Sequence, residues 1–149
     1  MANIVPFAFK GELMSGTHNF SAGGNTFFLA LYTANPFTTA STVYVTTSEV
    51  SGAGGSNYTA GGKQLQNQAV GASTATTTVD FDNLTWGAAT TGAATFGAAF
   101  AAIYNTSSAN KLVVVLDFGG TKTATNGDFV IAFPNISTPG NAILSLTSS

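Results

Sequence analysis

The feature that most limits how this chain can fold is the spacing of its apolar runs. Each is five to ten residues long, and each is closed off by Gly, Pro, Asn, Ser or Thr before a helix could complete three turns. Residues 26–33 (TFFLALYT) are continuously bulky and apolar, as in a strand buried on both faces. Residues 76–82 (TTTVDFD) alternate, with Thr76, Thr78, Asp80 and Asp82 opposite Thr77, Val79 and Phe81. Residues 95–104 (TFGAAFAAIY) are small and almost wholly apolar, and 111–120 (KLVVVLDFGG) are β-branched through Val113, Val114 and Val115 before a glycine pair that predicts a stop. DFVIAF (128–133) lies between Gly127 and Pro134, and AILSL (142–146) follows. With KQLQNQAV (63–70) and the weaker TVYVT (42–46), the pattern predicts about eight strands. The expectation is an all-β chain, one domain over residues 1–149, of β-sandwich or jelly-roll type.

The one helix the sequence supports lies in residues 1–20. Pro6 suits a first turn, Phe9 with Leu13 and Phe7 with Met14 share faces, and Gly16 ends the run. It packs over an open end of the sandwich, or it is an arm whose Phe7, Phe9, Leu13 and Met14 dock on a partner.

Charged residues make up only 7% of the chain, against about 25% in a typical soluble domain, with a net charge of −2. A free surface relies on interspersed charge to stay unassociated, so the composition predicts that much of this one lies against other subunits, as in a homo-oligomer. Arg is absent and Lys10, Lys63, Lys111 and Lys122 are scattered, which argues against nucleic acid and against a basic membrane-surface helix. Cys is absent, so no disulfide or thiolate metal site can form. The start MANIVPFAFKGEL has no signal-peptide pattern, and no apolar run approaches about 20 residues, which predicts a soluble protein made in the cytoplasm.

Catalytic signals are sparse. In SGAGGSNYTAGGKQL (51–65) a phosphate-binding loop would need G-x-x-x-x-G-K-[S/T], but Lys63 is followed by Gln64 and the first glycine position holds Asn57. The segment therefore reads as a glycine turn between two strands. His18 is the sole histidine, and no nucleophile elbow accompanies it, Asp117 or the serines. Asp80 and Asp82 share a strand face, a geometry open to a carboxylate pair but more simply a solvated one. DFDN (80–83) offers oxygen ligands without a calcium loop, and five N-x-S/T sequons, at Asn19, Asn57, Asn83, Asn105 and Asn135, follow from the Thr- and Ser-rich composition. No catalytic residue, metal or cofactor is expected.

The order of EVSGAGGSNYTAGGKQL, TTTVDFDNLTW, FAAIYNTSSANKLVVVLDFGG and NGDFVIAF, from about Thr26 to Phe133, resembles a family of small virion structural proteins of tailed bacteriophages. The resemblance implies a non-enzymatic subunit of the virion, a capsid decoration or cement protein that binds the major capsid protein or other virion subunits. It also implies a corner at Tyr58, Thr59, Gly61 and Gly62. A place at the tail, neck or fibre is the alternative within that family. A separate alternative is a carbohydrate-binding β-sandwich, in which Tyr32, Tyr44, Tyr58 and Trp86 would stack on sugars.

Overall fold

The computed structural model describes residues 2–89, 92–134 and 142–148. It is an all-β arrangement with one short helix: α1 (Phe7–Met14), then β1 (Phe27–Tyr32), β2 (Lys63–Gln64), β3 (Ala69–Ala72), β4 (Thr76–Asp80), β5 (Leu84–Trp86), β6 (Ala94–Asn105), β7 (Lys111–Gly127), β8 (Phe129–Ile131) and β9 (Leu144–Thr147). Three antiparallel sheets form, ordered β2-β1-β6-β7, β3-β4-β9 and β5-β8, and none closes into a barrel among the described residues.

The four-stranded sheet is buried on both faces, which is why its strands lack a polar side. Leu29, Ile103 and Val114 stand opposite one another across β1, β6 and β7, and so do Ala30, Ala102 and Val115 one step along. Because side chains alternate, the first trio enters the larger core and the second a smaller core on the reverse face. The larger core is closed by Phe9, Phe20, Leu65 and Phe81 and by Leu84, Trp86, Phe129 and Ile131 from the β5-β8 pair. The smaller is covered by Ile4, Phe37, Tyr44 and Val45, which come from irregular segments. The apolar run at 95–104 is therefore interior: Ala98, Ala101, Ala102 and Ile103 are all buried.

Three strand expectations need correction. TVYVT contributes only a bridge from Val43 to Lys111, because Tyr44 and Val45 turn onto the smaller core as cover. KQLQNQAV breaks into β2 and β3, in different sheets, at Asn67, whose φ of 51° is left-handed. The glycine pair after KLVVVLDF does not end its strand. Phe100 pairs with Asp117 but Ala98 with Lys122, so residues 118–121 bulge out with Gly119 and Gly120 at positive φ, and β7 resumes to Gly127. β5, absent from the sequence prediction, is the three-residue LTW.

Candidate docking surface

α1 begins at Pro6, an extended N-cap that offers no side-chain hydrogen bond, and ends before Gly16 at φ 75°. Its first N–H, that of Phe7, donates instead to the Thr39 carbonyl at 3.0 Å, so the helix is held by tertiary contacts. Phe9 inserts into the larger core, its ring 5.1 Å from that of His18 and 6.4 Å from that of Phe20. Leu13 packs half-buried beside it.

A polar chain reinforces this seat. Glu12 Oε2 lies 3.0 Å from His18 Nε2, Glu12 Oε1 accepts from Lys111 Nζ, and His18 Nδ1 lies 3.0 Å from Asn105 Nδ2. The Asn105 amide is oriented by its neighbours, since Oδ1 accepts from Ser107 N–H and Nδ2 also donates to Asn25 Oδ1. His18 Nδ1 must then accept, which puts its hydrogen on Nε2, pointing at Glu12. Burial alone would raise the Glu12 carboxyl, but hydrogen bonds from Lys111 and His18 outweigh it and hold the group below its usual range.

The four residues read as a docking set are divided by this seating. Phe9 and Leu13 serve the chain's own core, so only Phe7, 68% exposed, and Met14, 92% exposed, remain on the surface. The outward face continues across a groove. In the β3-β4-β9 sheet Val70, Val79 and Leu144 form one cross-strand row and Ala72, Thr77 and Leu146 the next, all on one face. Val79 and Leu144 lean against the larger core, while Val70 (52% exposed) and Leu146 (65%) extend past it. Between this face and α1 runs an apolar groove of about 940 Å³, rimmed by Val5, Lys10, Met14, Val70 and Leu146. Val70, Leu144 and Leu146 were missed as site residues, although the alternation of TTTVD predicts an apolar face for their partner strand.

The corner residues Tyr58, Gly61 and Gly62 belong to a second polar cluster. Thr59–Gly62 is a turn closed by Gly62 N–H donating to Thr59 C=O, with Gly61 and Gly62 at φ 90° and 77°. Glu49 accepts from Tyr58 OH at 2.7 Å and Gly61 N–H at 2.6 Å on Oε1, and from Tyr44 OH at 2.6 Å on Oε2. Tyr104 OH donates to Gly61 C=O and Tyr32 OH to Val45 C=O, so all four tyrosines of the chain converge here. Burial, followed by the charge of Glu49, raises the Tyr104 hydroxyl to about 12, and burial raises Tyr32, Tyr44 and Tyr58 further. Lys63 lies beside the turn with Nζ donating to Thr85 C=O at 2.6 Å and over the Trp86 ring, and no phosphate-facing loop results. Tyr32, Tyr58 and Trp86 are buried and Tyr44 half-buried, so the rings on which a sugar would stack face inward.

Every carboxylate accepts a hydrogen bond from its own chain. Besides Glu12 and Glu49, Asp80 accepts from Phe81 N–H, Asp82 from Asn67 Nδ2, Asp117 from Gly119 N–H and Asp128 from Ala88 N–H. Asp80 and Asp82 thus serve separate local contacts, and no cluster of three or more potential metal ligands occurs among the described residues. Of the sequon residues, Asn105 is fully buried and Asn135 lies outside the described residues. No helix among the described residues is long and apolar enough to cross a membrane. Comparison with family models, with curated proteins and with solved structures finds no match.

Proposed function

We propose that this chain is a non-enzymatic structural subunit of a bacteriophage virion, a decoration or cement protein that seats on the head lattice through the face formed by α1 and the β3-β4-β9 sheet. The observation that carries the reading is the apolar groove with Met14, Val70 and Leu146 exposed at its rim. Exposed apolar surface of this kind marks contact sites, and its burial stabilises association by about 25 cal/mol per Å² before association costs. The likeness of the YTAGGK, DNLTW and LDFGG segments to small virion proteins supplies the setting. A sandwich arrangement, in which the four-stranded sheet faces β5-β8 across the larger core, belongs to the same proposal, as do self-association into a homo-oligomer and a place in the virion after synthesis in the host cytoplasm.

Co-sedimentation with head shells assembled without this protein tests the reading. Wild-type protein is expected to saturate the shells at many copies, and Met14→Asp with Leu146→Asp to abolish the binding while the fold persists. Shells that leave the wild-type protein in the supernatant would overturn it. Binding to isolated tails in place of heads would move the subunit to the neck or tail.

A further inference from the structure

We infer that the groove between α1 and the β3-β4-β9 sheet seats an apolar peptide segment of a different protein, one that brings a carboxylate to Lys10. This rests on the reading of that face as the partner surface and adds the chemistry of the occupant.

Charge complementarity carries the inference. Of the sixteen residues lining the groove, Lys10 alone is formally charged, and no carboxylate is among them. His18, the other titratable group there, has a fully buried side chain held between Glu12 and Asn105. Lys10 Nζ sits 5.4 Å from the centre of the exposed Phe7 ring. Lys111, by contrast, meets Glu12, and Lys63 meets the Thr85 carbonyl. An ammonium at the edge of an apolar trough is a point to which an incoming carboxylate can be steered and registered. Glu12, on the same helix, is taken up by His18 and Lys111, and the other five Asp and Glu side chains accept hydrogen bonds away from the groove. A second copy meeting this face across a two-fold axis would bring Lys10 twice and no acid, so the charge pattern disfavours self-pairing here.

Shape fits a single chain segment. The helical wall has eight residues, which makes it about 12 Å long. The facing sheet has three strands, about 14 Å across. Two cross-strand rows, ending at Val70 and Leu146, offer spaced anchor points for alternate or i, i+3/i+4 apolar side chains.

The test is selection of a random-peptide mRNA-display library on the immobilised full-length protein, a probe that involves no virion component. Selected peptides are expected to combine several apolar positions with Asp or Glu. Their affinity is expected to fall about five-fold with Lys10→Glu and by more than about ten-fold with Leu146→Asp. Both residues are exposed, and circular dichroism and thermal melting verify that the variants fold. Peptides without an acid, or affinities indifferent to Lys10→Glu, would overturn the inference. So would light scattering that shows a dimer which Leu146→Asp makes monomeric, since a second copy would then be the occupant. Saturation by dodecanoate with no peptide selected would make the groove an amphiphile site and overturn it equally. Failure here together with normal shell binding would remove this inference and leave the structural-subunit reading standing.

Discussion

The turn at Gly61 and Gly62 gives the sharpest test of how this fold is held. Both residues have positive φ, as does Gly54 in the loop before them. An added Cβ at Gly54 would meet nothing within 4 Å, so Gly54→Ala isolates the cost of a left-handed alanine, about 1 kcal/mol. At Gly61 the Cβ would lie 3.3 Å from the Tyr104 hydroxyl, a side-chain end that can shift a few tenths of an ångström. At Gly62 it would run into the Leu29 carbonyl, 2.6 Å from its carbon and 2.7 Å from Ala30 Cα. Those are backbone atoms of the fully buried Leu29 and Ala30, and relief requires β2 to lift off β1, where Phe28 pairs with Gln64 and Leu29 with Lys63. Loss of about two net hydrogen bonds at about 1 kcal/mol each, added to the left-handed cost, gives about 3 kcal/mol for Gly62→Ala. For a chain of this size the melting temperature should fall by about 9 °C, against about 3 °C for Gly54→Ala. Urea unfolding followed by the fluorescence of Trp86, the sole and buried tryptophan, measures both. If Gly62→Ala and Gly54→Ala agree within about 1 kcal/mol, close approach to β1 is not what requires the glycine, and the reasoning fails.

Three further outcomes are expected. Phe9→Ala should cost about 3–5 kcal/mol and Phe7→Ala within about 0.5 kcal/mol in the same assay, because the first ring is core and the second is exposed; equal losses would show that α1 does not seat as described. A tyrosine whose pKa is raised on folding contributes stability fully below about pH 10 that is lost as pH rises towards the folded value, about 12 for Tyr104. Phenolate absorbance should therefore stay low above pH 10 and then rise in one step together with unfolding; four tyrosines titrating near pH 10 in a folded protein would contradict the buried cluster. The lowered pKa of Glu12 has the opposite sign: its contribution is present above about pH 4.3 and lost as pH falls through the folded value. Glu12→Gln should be less stable than wild type at neutral pH and lose less on acidification, which urea melts at two pH values will show.

Strand positions were legible wherever local pattern and tertiary role agree. TFFLALYT became a strand covered on both faces, and TTTVD became a strand with Val79 packed against the larger core, although Thr78, on the face expected to be solvated, is buried. The pattern misled where one residue's backbone conformation overrides propensity, at the left-handed Asn67 that splits 63–70 and at the glycine bulge that β7 passes through. The three residues of β5 are too few to show a period, and β5 exists because it pairs with β8 through Leu84↔Ile131 and Trp86↔Phe129. For the surface, helical spacing picked out Phe7, Phe9, Leu13 and Met14 but could not say which side faces inward. That depends on Phe20 and His18, on the far side of a turn. The groove's other wall comes from β3, β4 and β9, whose registers join residues up to 71 positions apart, and no local pattern carries that information.

The scarcity of charge, which pointed to a covered surface, has a second physical source in the structure. Glu12 and Glu49 are interior anchors: one ties α1 to the four-stranded sheet through Lys111 and His18, and the other ties the Tyr44 and Tyr58 hydroxyls and the glycine turn together. The four aspartates each accept from an amide at a turn or strand end. Charges used in this way set the geometry of the chain and contribute little repulsion between copies. The exterior is left to Thr, Ser and Asn, whose hydroxyls and amides are neutral towards like neighbours. Such a surface tolerates crowding, and a single cation set in an apolar groove then stands out as the place where contact is directed. If that is the design, adding charge away from the groove should alter solubility and leave partner binding intact, while Lys10→Glu should alter binding and leave stability unchanged.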